Sequence, residues 1–135
     1  MGIVHDKGVF DDSNGQVLRK YIYERLRYYF QFQNELKLFQ DVGNTKKFDI
    51  TIYGIKEDVG FISINNIFHP VTIHQSLTNK GTEPIGIRDS NAKWNLKGNS
   101  TRRLLIDESI LKFYKKMLQD DSNWNATKLP IIHSN

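Results

Sequence analysis

The chain has no cysteine, which removes disulfide frameworks, thiolate zinc sites and cysteine nucleophiles together and fits a reducing compartment. Proline is scarce, with only Pro70, Pro84 and Pro130, none beside another. No apolar run approaches the ~20 residues that cross a bilayer. The opening Met1-Gly2-Ile3-Val4-His5-Asp6 lacks the basic-then-apolar pattern of a secretory leader. A cytoplasmic protein with no membrane partner is the expectation. Charge of one sign is not extreme either: a net +4 and a pI near 9.3 tilt mildly toward a nucleic-acid partner.

What is present suffices for one globular domain. The 135 residues are 39% hydrophobic and 12% aromatic, enough to bury a core without metals or disulfides. The central stretch runs from Phe30 to Phe39 and, after a polar break containing Gly43-Asn44, from Phe48 to Gly54. Both segments alternate apolar and polar side chains, the period of a half-buried strand, so an antiparallel hairpin is predicted. A lone hairpin is marginal in water and needs a covering layer.

The flanking segments can provide it. Ser13-Asn14-Gly15-Gln16 matches a capping box, and Leu18, Ile22, Leu26 and Tyr29 sit at helical spacing, which predicts an amphipathic helix over about residues 16–29. Gly60 to Phe68 reads as a third strand, and Pro70 suits the first turn of a short helix over Val71 to Leu77. Residues 78–101 are irregular, with possible short strands around Ile85-Gly86-Ile87 and Trp94-Asn95-Leu96. Asp107 caps a second main helix, with Ile106 and Leu111 at the staple positions. A single α/β domain over 1–119 is predicted, followed by a polar tail over 120–135, from which Trp124 or Leu129-Pro130-Ile131-Ile132 could dock on the body. Ile3-Val4-His5 opens the chain as if in mid-strand, which fits a piece of a longer protein.

Candidate functional residues concentrate late in the irregular region. Lys93, Lys97, Arg102 and Arg103, with Trp94 and Asn99 among them, combine cations for phosphates with a ring that can stack on a base, the ingredients of a DNA-binding stretch. A second constellation is acidic. Glu35 and Lys37 would share a strand face next to Asp49, which weakly suits a small magnesium-dependent nuclease. His69 and His74 lie five apart, without the four-residue spacing of helical metal ligands, and Gly81 and Gly86 lack the Lys-Ser/Thr of a phosphate loop. The aromatic run Tyr21, Tyr23, Tyr28, Tyr29, Phe30 and Phe32 exceeds what one core face needs, so part of it is expected as an exposed patch favouring self-association or protein interaction.

One resemblance spans most of the chain, to about Arg103. Gly8-Val9-Phe10-Asp11-Asp12, the segment from Leu18 to Tyr28, the stretch from Phe30 to Phe39, Phe48 to Gly54, Asn66 to Ile73, and Ile85 to Asp89 with Trp94 to Gly98 follow one another in a familiar order. They resemble the block after the catalytic Asn-Pro-Pro-aromatic motif in large bacterial adenine-specific DNA methyltransferases of restriction-modification systems. The resemblance implies the C-terminal half of a class I methyltransferase sheet, where a mostly parallel sheet ends in an antiparallel strand. It also implies double-stranded DNA and the remainder of the methyltransferase chain as partners, and S-adenosylmethionine as cofactor of the parent enzyme. Neither the Gly-rich cofactor loop nor the Asn-Pro-Pro-aromatic motif that holds a flipped adenine occurs here. This fragment is therefore expected to carry no catalytic residue, metal or cofactor of its own, and to supply scaffold and DNA-backbone contacts.

Overall fold

The computed structural model of the chain describes residues 1–6 and 8–134. It is a mixed α/β fold built on a five-stranded sheet. The strands are β1 (Gly2–Asp6), β2 (Leu26–Gln33), β3 (Lys47–Tyr53), β4 (Gly60–Ile67) and β5 (Leu104–Asp107), in the spatial order β1-β3-β2-β4-β5. Three helices complete it: α1 (Gln16–Tyr23), α2 (Val71–Thr78) and α3 (Glu108–Met117). The predicted hairpin is β2 and β3, antiparallel with Phe30 opposite Ile50 and Phe32 opposite Phe48. β3 is also antiparallel to β1, so β1 and β2 run the same way on either side of it. β4 is parallel to β2, and β5 is antiparallel to β4.

Strand alternation divides the core in two. One face carries Tyr29 and Phe61, packed with Tyr23 of α1, Leu111 and Tyr114 of α3, and Phe10. The Tyr23 ring stacks on Phe61 with centroids 5.7 Å apart, which seats α1 on the sheet. The opposite face carries Phe30, Phe32, Phe48, Ile64 and Ile67, with Ile73 of α2 against them. Most of the aromatic run is therefore interior: Tyr23, Tyr29, Phe30 and Phe32 are buried, and Tyr21 is exposed.

The sequence expectation differs from the structure at four boundaries. The first helix stops at Tyr23, because the carbonyls of Glu24 and Arg25 accept from the amides of Glu57 and Gly54. Leu26 to Tyr29 then pair with β3 as a strand. Leu26 and Tyr29 are buried as expected, but within β2. The inward stripe of α1 is Arg19 and Tyr23, leaving Leu18 exposed. Ser13 caps no helix: it opens a 3-10 turn (Ser13–Gly15) leading into α1, capped by the Asp12 carboxylate, which accepts from the Asn14 amide at 2.9 Å, and α1 itself starts from Gly15 with no side-chain cap. The strand predicted to reach Phe39 ends at Gln33, because the Asn34 side chain organises the loop after it. Its Oδ1 accepts from the Phe39 amide at 3.0 Å, and its Nδ2 donates to the carbonyls of Phe39 and Val42, both at 2.9 Å. Asp107 caps α3 as predicted, accepting from the Ile110 amide at 3.0 Å.

Residues 120–134, expected as a polar tail, are built into the body. Ala126, Thr127 and Leu129 are buried, and the Leu129 amide donates to the carbonyl of Phe10 at 2.8 Å. Arg19 Nε donates to the Ala126 carbonyl at 2.7 Å, and the Tyr23 hydroxyl to that of Thr127. Their polar character is local; their backbone closes the first core.

Candidate nucleic-acid interface

The irregular region after α2 is held against that helix by small side chains. The residues of α2 that are fully covered are Thr72 and Ser76, one turn apart, and Gly98 lies over them. Thr72 Oγ1 donates to the Leu96 carbonyl at 2.7 Å, and Gln75 Oε1 accepts from the Gly98 amide at 3.0 Å. The strand expectation near 85–87 and 94–96 is met in reduced form. Arg88 and Trp94 form an isolated antiparallel bridge, and the Asn95 amide donates to the Ile87 carbonyl at 3.0 Å. The turn between them is fixed by Asp89 Oδ1, which accepts from the amides of Asn91 and Lys93 at 2.9 and 3.0 Å.

The six residues read as DNA-binding separate by burial. Lys93 and Lys97 are exposed, and Trp94 and Arg103 are half-buried. The Trp94 ring stacks on Phe68 at 4.5 Å between centroids and has the Arg88 guanidinium 3.8 Å from its own centroid, so these two neighbours already engage it. Sequence reasoning misses Arg88; only its place across the five-residue loop 89–93 from Trp94 signals the contact. Asn99 is buried and caps the 3-10 turn Ser100–Arg102. Its Oδ1 accepts from the Thr101 amide at 2.9 Å and its Nδ2 donates to the Glu83 carbonyl at 2.7 Å.

Arg102 requires a correction. It is fully buried and directed inward, donating from Nε to the His133 carbonyl at 2.8 Å and from Nη2 to the carbonyls of Asn65 and Asn66 at 2.5 and 3.3 Å. Burial lowers its pKa to about 10, so it remains a cation at neutral pH. A guanidinium enclosed in this way cannot meet a phosphate. Asn99 is likewise committed to the backbone, which leaves Lys93 and Lys97 as the freely exposed cations among the six.

The nuclease constellation is not assembled. Glu35 and Lys37 lie beyond the end of β2, Glu35 in a 3-10 turn and Lys37 at a positive φ of 53°, and they do not share a strand face. Glu35 accepts from Gln33 Nε2 and Asn44 Nδ2 at 2.9 and 3.4 Å, and Lys37 Nζ donates to the Val42 carbonyl at 2.8 Å. Asp49 is buried at the level of Gln31, and the Tyr29 hydroxyl donates to it at 3.2 Å. Burial, together with that carboxylate, raises the Tyr29 pKa well above the usual phenol range. Among the described residues no group of three or more His, Asp or Glu side chains is placed to hold a metal ion.

No protein-family model, curated protein or solved structure matches the chain. The charge of its concavities bears on the DNA reading. A cleft of about 990 Å³ beside the start of α3 is lined by Glu24, Glu57, Asp58, Asp107 and Glu108 against Lys56 and Lys112, the wrong sign for a polyanion. Among the described residues no helix is long and apolar enough to cross a membrane.

Proposed function

We propose that the chain is a non-catalytic part of a restriction-modification adenine-specific DNA methyltransferase, serving as scaffold and contributing phosphate contacts through Lys93 and Lys97. The observation that carries this reading is topological. The order β1, α1, β2, β3, with β3 antiparallel between two strands that run the same way, fits the end of a parallel sheet that has taken in one antiparallel strand. The resemblance in the segments from Gly8 to Gly98 supports the same reading independently. Methyl transfer itself belongs to the parent enzyme, which would hold S-adenosylmethionine and the adenine-binding motif.

The test is binding of the chain to a duplex oligonucleotide across a salt series. Each phosphate contact contributes roughly −0.9 to the slope of log K against log salt. Lys93→Ala and Lys97→Ala should each reduce that slope by about one, without preference for sequence. Absence of binding at low salt, or a slope unchanged in the double variant, would remove the DNA role.

A further inference from the structure

Residues 86–93 are all exposed and form the tip of a small two-stranded ribbon. The Arg88–Trp94 bridge and the bond from the Asn95 amide to the Ile87 carbonyl are extended by the Asp89 amide, which donates to the Lys93 carbonyl at 2.8 Å. With Asp89 Oδ1 holding the amides of the turn, the tip has a defined shape although its residues face solvent. The major groove of B-DNA, about 12 Å wide, admits either an α-helix or a two-stranded ribbon.

Within this tip Arg88 is held in place. Its guanidinium lies 3.8 Å from the centroid of Trp94, and Trp94 stacks on the buried Phe68, so the cation rests on a ring that is itself seated on the body of the protein. Nη1 donates to the Ala92 carbonyl at 2.7 Å. Ala92 has a positive φ of 59°, a conformation uncommon for a residue other than glycine. Among the described residues no protein acceptor meets Nε or Nη2, whose N–H groups form the side fork of the guanidinium. Lys93 and Lys97 are exposed beside it, and Asp89 is the one acidic residue between 86 and 97.

We propose that Arg88 reads a guanine in the major groove of duplex DNA, Nε and Nη2 donating to its O6 and N7, while Lys93 and Lys97 take flanking phosphates. The inference rests on the DNA reading above and adds a sequence preference to it. Guanine is the base whose major-groove edge offers two neighbouring acceptors, so a fork of two donors selects it over the other three. Trp94 and Ala92 fix the fork before DNA arrives, so little side-chain freedom is lost on binding; a lysine on its flexible stem supplies charge alone. Trp94 is a positioning residue beneath Arg88 and does not itself stack on a base.

The test is selection by the whole chain, at low salt, from duplexes carrying ten randomised base pairs, followed by affinity measurements on the selected duplex. One guanine position should emerge, preferred about tenfold over the other bases. Arg88→Ala, at an exposed position, should level that position while leaving the thermal midpoint unchanged, and Lys93→Ala or Lys97→Ala should lower the salt slope and keep the guanine. Replacing the selected guanine by 7-deazaguanine removes N7 and alters nothing in the protein. It should weaken binding severalfold for the unsubstituted chain and not for Arg88→Ala. Binding with no base preference, a preference for another base, or a guanine preference that survives Arg88→Ala overturns the proposal and leaves the phosphate contacts standing. No binding at low salt removes the DNA role itself, and this inference falls with it.

Discussion

Arg19 and Arg102 are the largest fully buried side chains, and both donate to backbone carbonyls, although Arg102 Nη1 is buried without a partner among the described residues. A planar fork of donors suits this task, since one side chain can reach carbonyls from segments distant in sequence. Arg19 joins the carbonyls of Val9, Asp12 and Ala126, and Arg102 joins those of Asn65, Asn66 and His133. Replacing Arg102 by methionine should leave these carbonyls unpaired and cost about 3 kcal/mol in urea unfolding. Lys97→Ala, at an exposed position, should stay within about 0.5 kcal/mol. Similar values for the two would refute the structural role of Arg102. The sequence could not separate them. Burial of Arg102 depends on carbonyls donated by β4 and by the C-terminal segment, and nothing in Arg102-Arg103 itself records that.

Among the elements, β3 was legible from its alternation, β4 from its aromatic and β-branched content, α2 from Pro70, and α3 from its Asp107 cap and apolar face. The α1–β2 boundary was not, because Leu26 and Tyr29 have helical spacing and meet in one core as strand residues only through the register shift between Leu26 and Tyr28, and the deciding groups are the amides of Gly54 and Glu57. β5 is four residues long, too short for alternation to register. The candidate site was legible in its exposed lysines and in the turn around Asp89, but not in the packing that holds it. That packing hinges on Gly98. A Cβ there would lie 2.5 Å from the Thr72 carbonyl oxygen and 2.8 Å from the Ser76 amide nitrogen, and closer still to Ser76 Oγ. Gly98→Ala should therefore push the 95–99 segment off α2 at a cost of about 1–3 kcal/mol. Faster amide exchange at Gly98 would accompany it, and an unchanged unfolding midpoint would show that α2 yields freely.

For the whole molecule, the segment 120–134 ties Phe10 and α1 to the end of β4 and to Arg102. Removing residues 124–135 would orphan donors on Arg19, Tyr23 and Arg102 and strip Leu129 from the core. The truncated chain should lose cooperative thermal unfolding; a sharp transition near that of the full chain would contradict this. The same segment makes stability pH-dependent. Burial, reinforced by the Arg102 cation, lowers the His133 pKa, and its Nε2 lies 2.7 Å from the Ile85 carbonyl. A depressed histidine binds fewer protons folded than unfolded. Its contribution is thus complete above about pH 6.5 and is lost as pH falls through the folded value. Burial pushes Asp120 up, but hydrogen bonds from the Lys128 and Ser122 amides and the Ser122 hydroxyl outweigh it and hold its pKa at about 2. Its contribution is present above the ordinary carboxylate value and falls away toward about pH 2. Urea midpoints should therefore drop in two steps on acidification, and His133→Gln should remove the first.

The backbone of Ala126 to His133 has a consequence during synthesis. A ribosome delivers this stretch after the strands and α-helices of the core, so β1 to α3 emerge with Arg19 Nε and Arg102 Nε still without the carbonyls of Ala126 and His133. The nascent chain can sample its sheet early, yet it cannot lock it until translation has passed His133, and until then its exposed core favours chaperones and proteases.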